Sequence, residues 1–344
     1  RFNGDTKVTD MLYDCYQSAE EGEDFKGKLK NIKARYEEII SGLELSLSLD
    51  SEFKTIEENF KKHAGENYAA SRGEYLNGII MADYLGFAFI DAAKVIFFKE
   101  DGTWDEARTK EVLGAELSKH DKAVIPGFYG SLPDGTVKTF SRGGSDITGS
   151  IVAQAVHADV YENWTDVSGI LAADPRIINN PRPIDRVTFS ELRELSCMGA
   201  EVLHEEAVFP VRNKNIPLYI KNTKDINAPG TLIMESFDED RDEQAKIRPI
   251  TGISGRKNYS IVTISKGRMG EEPGCIRKAL EIFEANEINV DQVPCSIDTF
   301  SVIVAGDALE DKLHAIITRL EQVIEPDSIK ITNDISLIAV VGRN

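Results

Sequence analysis

The spacing of apolar residues in the first quarter of the chain predicts a series of helices. Apolar side chains recur every three or four residues, as at Leu29, Ile32 and Tyr36, and this is the period of one helix face. Glycines, which are typical helix breakers, lie between the segments. The predicted helices cover residues 12–20, 25–43, 53–63 and 68–85.

The pattern then changes to short apolar runs that are rich in aromatic and branched side chains. Such runs, separated by helical stretches such as 105–120, are typical of strands buried on both faces of a largely parallel sheet. The alternation predicts a three-layer α/β/α domain over residues 1–233. The predicted strands are 87–90, 95–98, 123–125, 158–164 and 218–221.

An acidic segment separates this domain from the rest of the chain. Six of the nine residues 235–243 are acidic, which is typical of a solvated linker, and we place the linker at 234–249. The remainder, 250–344, follows the order β-α-β-β-α-β of a ferredoxin-like unit. Its predicted strands are 260–265, 290–296, 300–305 and 329–332, and its predicted helices are 275–285 and 309–323.

The last predicted strand and the first residues of the chain each raise a separate expectation. A further strand is predicted at 336–341; either it pairs with a strand at 250–254, or it begins a second unit that the 344 residues leave incomplete. The first residues contain no initiator Met and no signal-peptide pattern. We therefore expect the chain to begin at an interior cut.

Composition narrows the classes of function. The 344 residues, 41% hydrophobic and 28% charged, are ordinary for a globular protein of roughly two domains. The net charge of −18 disfavours binding to nucleic acid or to an anionic membrane surface. The most apolar stretch, 78–98, contains Asp83, Asp91 and Lys94 and is too polar to span a bilayer. Four cysteines without a C-x-x-C pair predict neither a disulfide framework nor a zinc site, and fit a reduced, cytoplasmic setting.

The segment 140–150 is the densest chemical motif. Adjacent Gly143 and Gly144 follow a predicted strand, so backbone amides at the start of the next helix can approach an anionic ligand. Arg142 supplies a planar guanidinium that suits a carboxylate or a phosphate. The competing interpretation is that Ser145 and Asp146 only cap the helix.

Two weaker motifs flank it. Residues 164–171, followed by Asp174-Pro175-Arg176, come after a predicted strand, where open α/β sheets bind ligands; the alternative is a simple turn. The segment 71–74 has the sequence Ser-Arg-Gly-Glu inside a predicted helix. Gly73 costs about 1 kcal/mol relative to Ala there, which indicates a close approach or a bend, although Glu74 on a surface helix would usually be a solvated charge.

Together and in this order, the motifs resemble those of the aspartokinases of the amino acid kinase family, over nearly the whole chain. The C-terminal unit resembles an ACT regulatory domain. The resemblance implies a three-layer α/β/α amino acid kinase domain joined to a ferredoxin-like ACT region. The matching segments are 71–74, 127–128, 142–146, 164–169, 174–176, 198–204 and 220–223.

The resemblance also implies a reaction, in which ATP, with Mg²⁺, phosphorylates the side-chain carboxylate of L-aspartate to 4-phospho-L-aspartate. This is the first step of lysine, threonine and methionine biosynthesis. A carboxylate is already ionised at pH 7, so no general base is needed and catalysis rests on positioning and charge neutralisation. Accordingly the five histidines show no ligand spacing, and no protein-held metal is expected.

Site residues follow from the resemblance, position by position. Arg142 would clamp a substrate carboxylate, and Glu74 and Asp146 would hold the ammonium group; these three are the expected catalytic residues. Thr9, Phe128, Gly143, Gly144 and Ser145 would complete the aspartate pocket. The residues expected at the nucleotide are Thr165, Asp166, Leu171, Asp174 and Arg176.

An effector site is expected in the C-terminal unit. Residues 269–276 form a strand-to-helix loop whose amides can receive an effector carboxylate, and Asp291 could pair with its ammonium group; the alternative is a Pro-Gly turn and an exposed Asp. The resemblance implies feedback inhibition by lysine, with threonine as a further candidate, and a homodimer through the ACT region, with a dimer of dimers as the larger assembly. The expected residues are Met269, Glu272, Gly274, Cys275, Ile276, Asp291 and Ser296.

Some family features are missing. Aspartokinases carry a Lys-Phe-Gly-Gly phosphate loop on their first strand, and the 344 residues contain none. Glu201 and Glu205 stand where many relatives have Lys and Pro, Leu171 where some have an aromatic residue, and Asp10 where the family has Asn. We therefore expect a polypeptide of these 344 residues not to turn over ATP competently. The alternatives are a kinase of the same fold that acts on another substrate, and an amino-acid-sensing regulatory fragment without kinase activity; no dinucleotide fingerprint of a fused dehydrogenase follows.

Overall fold

The structure is a computed structural model, and it describes residues 6–141, 143–199, 203, 205–237 and 249–342. Contacts divide the chain into two compact units. The first unit consists of residues 1–170, 184–190 and 201–238, and the second of residues 171–183, 191–200 and 239–344. Most of the predicted linker at 234–249, namely residues 238–248, lies outside the described residues. The predicted boundaries at 233 and 250 therefore stay predictions.

Four helices open the first unit and share one core. They are α1 (Val8–Glu20), α2 (Lys26–Gly42), α3 (Asp50–Lys61) and α4 (Glu66–Leu85). Their apolar faces meet at fully buried side chains such as Leu12, Ile32 and Phe60. The four helices predicted from the three-to-four-residue spacing are therefore confirmed, because the repeated apolar positions face this common core.

Short strands and helices follow in the same unit. Strands β1 (Ala88–Phe89) and β2 (Ala123–Val124) pair in parallel, with helix α5 (Glu106–Leu117) between them in sequence. Strands β3 (Tyr129–Ser131) and β4 (Val137–Thr139) form a hairpin. The run 95–98, predicted as a strand, is not one. It makes only isolated bridges, at Phe97 and Phe98, after a 3₁₀ turn at Ala92–Lys94.

The first unit also contains a four-stranded sheet, in the order β5 (Tyr161–Thr165), β9 (Leu218–Asn222), β10 (Thr231–Met234) and β8 (Arg186–Thr188). Strand β5 runs parallel to β9, and β10 runs antiparallel to β9 and parallel to β8, so the sheet is mixed where a largely parallel one was predicted. Helix α6 (Gly144–Ala155) precedes β5 in the chain and packs against helix α8. The other elements between residues 144 and 234 are β6 (Ile170–Leu171), β7 (Pro183–Ile184), α7 (Phe189–Cys197) and α8 (Glu205–Arg212). The division between the two units passes through β6, β7 and α7.

The second unit contains the predicted β-α-β-β-α-β order. Its sheet has the order β12-β13-β11-β14, and residues such as Val262, Phe283 and Phe300 form its core. The predicted helix at 309–323 is two helices, α10 and α11. The bounds are β11 (Ile250–Ser265), α9 (Cys275–Ala285), β12 (Val290–Gln292), β13 (Thr299–Ala305), α10 (Gly306–Glu310), α11 (Leu313–Ile324) and β14 (Ser328–Gly342).

The two predicted strands near the end of the chain are one strand, β14. It pairs antiparallel with β11 over the length of both, and Val340 lies opposite Ile253. This register shows that 336–341 pairs with 250–254, which is the first of the two alternatives that the sequence left open. A register shift between Arg256 and Tyr259 marks where the two predicted parts of β11 join.

Candidate active site

Two adjacent glycines allow helix α6 to begin close to another loop. Gly143 has a φ of 62°, a left-handed conformation that glycine adopts without strain. A Cβ on Gly144 would lie 2.7 Å from the Cβ of Phe128, so only glycine fits this approach. Arg142 lies outside the described residues, and its predicted role stays a prediction.

Both backbone polar groups of Phe128 are hydrogen-bonded, one to helix α6 and one to the segment before it. The Phe128 N–H donates to the Thr148 hydroxyl (3.0 Å), and the Phe140 N–H donates to the Phe128 carbonyl (2.9 Å). Phe128 has a φ of 67°, which is uncommon for a bulky residue and typical of functional sites where the surroundings impose strain. The predicted pocket residues Phe128 and Gly144 therefore lie close together, while Gly143 precedes the helix and Ser145 is exposed in its first turn.

Glu74 lies in the middle of helix α4, half-buried. Its Oε2 atom is buried and has no hydrogen-bond partner within the part of the chain that the structure describes. Burial raises the pKa of the Glu74 carboxyl above its usual value, because desolvation disfavours the charged form. A buried carboxylate without a partner is unfavourable, so this group is suited to receive a cation.

The neighbours of Glu74 in the Ser-Arg-Gly-Glu motif have structural roles. The Arg72 guanidinium is buried, donates to the Ser71 hydroxyl (3.0 and 3.2 Å), and lies 4.3 Å from the ring centre of Tyr75. A Cβ on Gly73 would lie 3.7 Å from Leu12 of α1, an ordinary contact, so packing alone does not require glycine there. Thr9 lies half-buried in the first turn of α1, a helix that packs against α4.

Asp146 takes part in a hydrogen-bond network that the motifs did not predict. The buried Asn163 amide donates from Nδ2 to Asp146 Oδ1 (2.8 Å) and to the Tyr161 hydroxyl (3.3 Å). The Tyr161 hydroxyl in turn donates to the Asp146 carbonyl (3.1 Å). The available signal was a polar residue at a buried position of a strand, since Asn163 is 7% exposed.

The predicted nucleotide residues fall in both units. Thr165 ends strand β5, and its carbonyl accepts from the Thr223 N–H (2.8 Å), while Asp166 follows it exposed. In the second unit, Leu171 is exposed, and the Arg176 guanidinium pairs with the Asp174 carboxylate (2.7 Å). Hydrogen bonds from Arg176 lower the pKa of the Asp174 carboxyl.

One lysine near the nucleotide motif was not predicted from the sequence. In the first unit, Lys221 pairs with Glu162 (2.5 Å), and its ammonium lies 5.2 Å from the ring centre of Trp164. In the sequence, 220–223 is marked only as a segment that matches the family, because a lone lysine on a strand has no distinctive spacing.

The predicted effector residues of the second unit lie around the start of helix α9. Glu272 is held between Lys266 (2.5 Å) and Lys278 (3.0 Å), and the hydrogen bonds from these lysines lower the pKa of its carboxyl. Gly274 precedes the helix with a φ of 81°. Asp291 is exposed and accepts from the Tyr259 hydroxyl (3.3 Å).

The remaining effector candidates differ in burial. Met269 and Cys275 are buried, and Ile276 is half-buried; all three pack in or against the core of the second unit. Burial raises the pKa of the Cys275 thiol. Ser296 is exposed, and its N–H donates to the Thr299 carbonyl (2.7 Å).

The described residues contain no group of three or more His, Cys, Asp or Glu side chains that could hold a metal ion. None of their helices has the length and apolar character needed to cross a membrane.

Comparison with known proteins assigns the chain and its fold to a class. Residues 25–222 match the model of the amino acid kinase family. The chain is 32% identical to aspartokinase 3 of Bacillus subtilis, over 98% of this chain and 77% of that protein. The crystal structure of Clostridium acetobutylicum aspartate kinase superposes with a TM-score of 0.88 at 46% identity, over 99% of this chain and 78% of that one.

A more distant structure shows the same fold. Escherichia coli aspartokinase III in complex with aspartate and ADP superposes with a TM-score of 0.67 at 24% identity, over 98% of this chain and 79% of that one. The chain therefore belongs to the amino acid kinase family. Within that family it belongs to the aspartokinases and is an aspartate kinase enzyme. Its C-terminal part is an ACT-type regulatory region.

Proposed function

We propose that this protein transfers the γ-phosphoryl group of ATP to the side-chain carboxylate of L-aspartate and forms 4-phospho-L-aspartate, at the start of lysine, threonine and methionine biosynthesis. The observation that supports this best is the Glu74 carboxylate, whose Oε2 atom is buried without a partner among the described residues. The α-ammonium group of aspartate is a cation that would pair with it. Asp146, in the same unit, supplies a second carboxylate.

The reaction needs little acid–base chemistry from the protein. An oxygen of the substrate carboxylate forms a bond to the γ-phosphorus, the bond from this phosphorus to the β–γ bridging oxygen breaks, and ADP leaves with that electron pair. The substrate carboxylate is already ionised at neutral pH, so no proton has to move. What the protein supplies is position and neutralisation of charge.

We assign these tasks to the predicted residues. Glu74 and Asp146 bind the ammonium group, Arg142 binds a carboxylate, and backbone amides at the start of α6 face the anionic groups. Thr9, Phe128 and Ser145 line the pocket. Thr165 and Asp166, in the first unit, contact ATP. The nucleotide roles that the resemblance implies for Leu171, Asp174 and Arg176, in the second unit, stay predictions.

Mg²⁺ fits this assignment as an ion carried by the nucleotide. Magnesium is usually held by one or two carboxylates, by waters and by substrate phosphates, and the exposed Asp166 carboxylate is an oxygen donor of this kind. Bound with ATP, the ion supplies neutralisation of the phosphate charges.

We further propose that the second unit senses an amino acid. A relative, lysine-sensitive aspartokinase 3 of Escherichia coli, is 28% identical over 64% of this chain. Lysine is therefore the first effector to test, followed by threonine. The proposed assembly is a homodimer through the ACT region in a cytoplasmic setting.

Calorimetry with L-aspartate, together with aspartate-dependent release of ADP from ATP, tests the proposal. We expect saturable binding of L-aspartate and weaker binding of succinate, which lacks the ammonium group. Binding of lysine without any binding of aspartate would instead support the alternative, an amino-acid-sensing fragment without kinase activity.

A further inference from the structure

Two side chains of strand β5 hold Asp146, one at its carboxylate and one at its backbone carbonyl. Asn163 donates an amide hydrogen bond to Oδ1 of Asp146 (2.8 Å). Tyr161 donates its hydroxyl to the backbone carbonyl of the same residue (3.1 Å), and Asn163 also donates to the Tyr161 oxygen (3.3 Å). The three residues form a closed network within the first unit.

The fold explains why these side chains meet. Residues two apart on a strand project to the same side, so Tyr161 and Asn163 face helix α6 together. Gly149, one turn after Asp146, leaves the space that Tyr161 fills, because a Cβ there would lie 2.5 Å from the Tyr161 oxygen. Strand β5 is fixed in turn by its parallel pairing with β9, where Asn163 lies opposite Ile220.

The protonation states keep the network in place at neutral pH. Burial raises the pKa of Tyr161 to about 12, with a further contribution from the charge of Asp146, so its hydroxyl remains a donor. The Asn163 amide does not titrate and donates at every pH. Asn163 is 7% exposed, and a buried amide group requires a hydrogen-bond partner; the Asp146 carboxylate provides it.

We propose that Asn163 is a positioning residue for aspartate recognition. By holding Oδ1 of Asp146, it fixes the rotamer of this carboxylate and leaves Oδ2 to receive the substrate ammonium group. Tyr161 supports the same arrangement by anchoring the backbone of Asp146. The proposal rests on the proposed function, since it requires that Asp146 binds the ammonium group of aspartate.

Replacement of Asn163 by leucine removes the donor and keeps a similar volume. We expect Asn163→Leu to weaken L-aspartate binding by about 10-fold to 100-fold, which is the usual effect of a lost hydrogen bond to a charged group. Succinate, which has no ammonium group, should bind within about twofold of its affinity for the unmodified protein. Tyr161→Phe, which keeps the ring, should weaken aspartate binding less and tests the network if Asn163→Leu folds poorly.

A double-mutant cycle separates positioning from a merely structural role. If Asn163 acts through Asp146, then Asn163→Leu in an Asp146→Asn background should change aspartate affinity by less than about twofold, because coupled residues are not additive. The matched control is Gln154→Leu. Gln154 is also buried, and its amide donates to the Glu106 carboxylate (3.1 Å) from the other end of α6, so this variant should retain aspartate affinity even if its unfolding temperature falls.

Calorimetry on the four proteins of the cycle and the control decides between the outcomes. Additive effects of Asn163→Leu and Asp146→Asn, or an equal loss of succinate and aspartate binding, would overturn the positioning role and leave the proposed function intact. Failure of the unmodified protein to bind L-aspartate would overturn both.

Discussion

Glu74 shows how a single residue can oppose stability and support binding. Its Oε2 atom is buried and lacks a hydrogen-bond partner in the described part of the chain, and burial raises the pKa of its carboxyl. A carboxyl whose pKa is higher in the folded than in the unfolded state binds protons more readily when folded. Glu74 therefore lowers the free energy of unfolding as the pH rises from the pKa of its carboxyl in the unfolded chain to the higher pKa in the folded protein.

The first prediction concerns Glu74→Gln, which removes the charge and keeps the shape. We expect aspartate affinity at neutral pH to fall by about 10-fold to 100-fold, because a hydrogen bond between charged groups is lost, while the unfolding temperature rises. Calorimetry and thermal unfolding measure the two effects. A variant that loses stability, or that binds aspartate normally, would contradict the assignment of Glu74 to the ammonium group.

The second prediction uses the titration of the same carboxyl. Aspartate binding brings an ammonium group to Glu74 and lowers its pKa, so near the raised pKa of the free protein, binding should release protons. Aspartate affinity should also weaken as the pH falls through that pKa. Titrations in buffers of different ionisation enthalpy measure the released protons, and Glu74→Gln, as the control, should release fewer.

Single residues were predictable where they belonged to a motif. Glu74, Gly144 and Asp146 each lie inside a segment with a recognisable order, and the structure gives each a geometry that suits a binding site. Asn163 and Lys221 were not singled out, because one polar residue on a strand has no spacing to mark it. Their significance depends on contacts between residues distant in sequence.

At the scale of elements, the close approach of α6 to the Phe128 loop is the feature that the site depends on most directly. A Cβ on Gly144 would lie 2.7 Å from the Phe128 Cβ, so one of the two elements would have to shift. Overpacking of this kind costs about 1–3 kcal/mol. It also moves the start of the helix on which Asp146 lies.

The third prediction follows for Gly144→Ala. We expect it to lower the free energy of unfolding by about 1–3 kcal/mol and to weaken aspartate binding. Gly27→Ala is the matched control, because Gly27 lies in helix α2 with no atom within 4 Å of the added methyl, and there alanine should stabilise by up to about 1 kcal/mol. Equal behaviour of the two variants in denaturant unfolding would contradict the steric argument.

The fourth prediction concerns the loop before α9 in the second unit. Lys278 occupies one oxygen of Glu272 (3.0 Å), so Lys278→Met should free this oxygen and increase the affinity for L-lysine by a fewfold. Arg277→Met, one residue away at an exposed pair with Glu281, should leave the affinity unchanged. Unchanged lysine binding in Lys278→Met, measured by calorimetry, would show that Glu272 does not contact this effector.

Elements were predicted well where their pattern is local. Helices α1 to α4 have a clear three-to-four-residue period and a shared core, and they lie close to the predicted positions. The run 95–98 is equally apolar, but it forms only isolated β-bridges. Its composition does not show that it lacks a full strand partner. The sequence predicted two strands where the structure has the single strand β14, because the continuity of β14 depends on its long antiparallel partner β11.

On the scale of the whole molecule, the division into units does not follow the order of the chain. Residues 171–183 and 191–200 group with the C-terminal segment, although they precede the acidic linker by several tens of residues. Composition can mark a linker, but it cannot show that a segment inside one predicted domain packs with another. The fold class was predictable from the sequence. The grouping of residues 171–183 and 191–200 with the C-terminal segment was not.

The helical block formed by α1 to α4 bears on how the protein folds. Its core joins residues within 8–80 of the chain, whereas β5 pairs with β9 more than fifty residues away. Contacts between nearby residues form sooner than distant ones, so we expect the helix that carries Glu74 to acquire protection before the sheet that orients Asp146. Newly made chains would then pass through a period in which they are partly folded and unable to bind aspartate, and pulsed hydrogen exchange during refolding would detect this order.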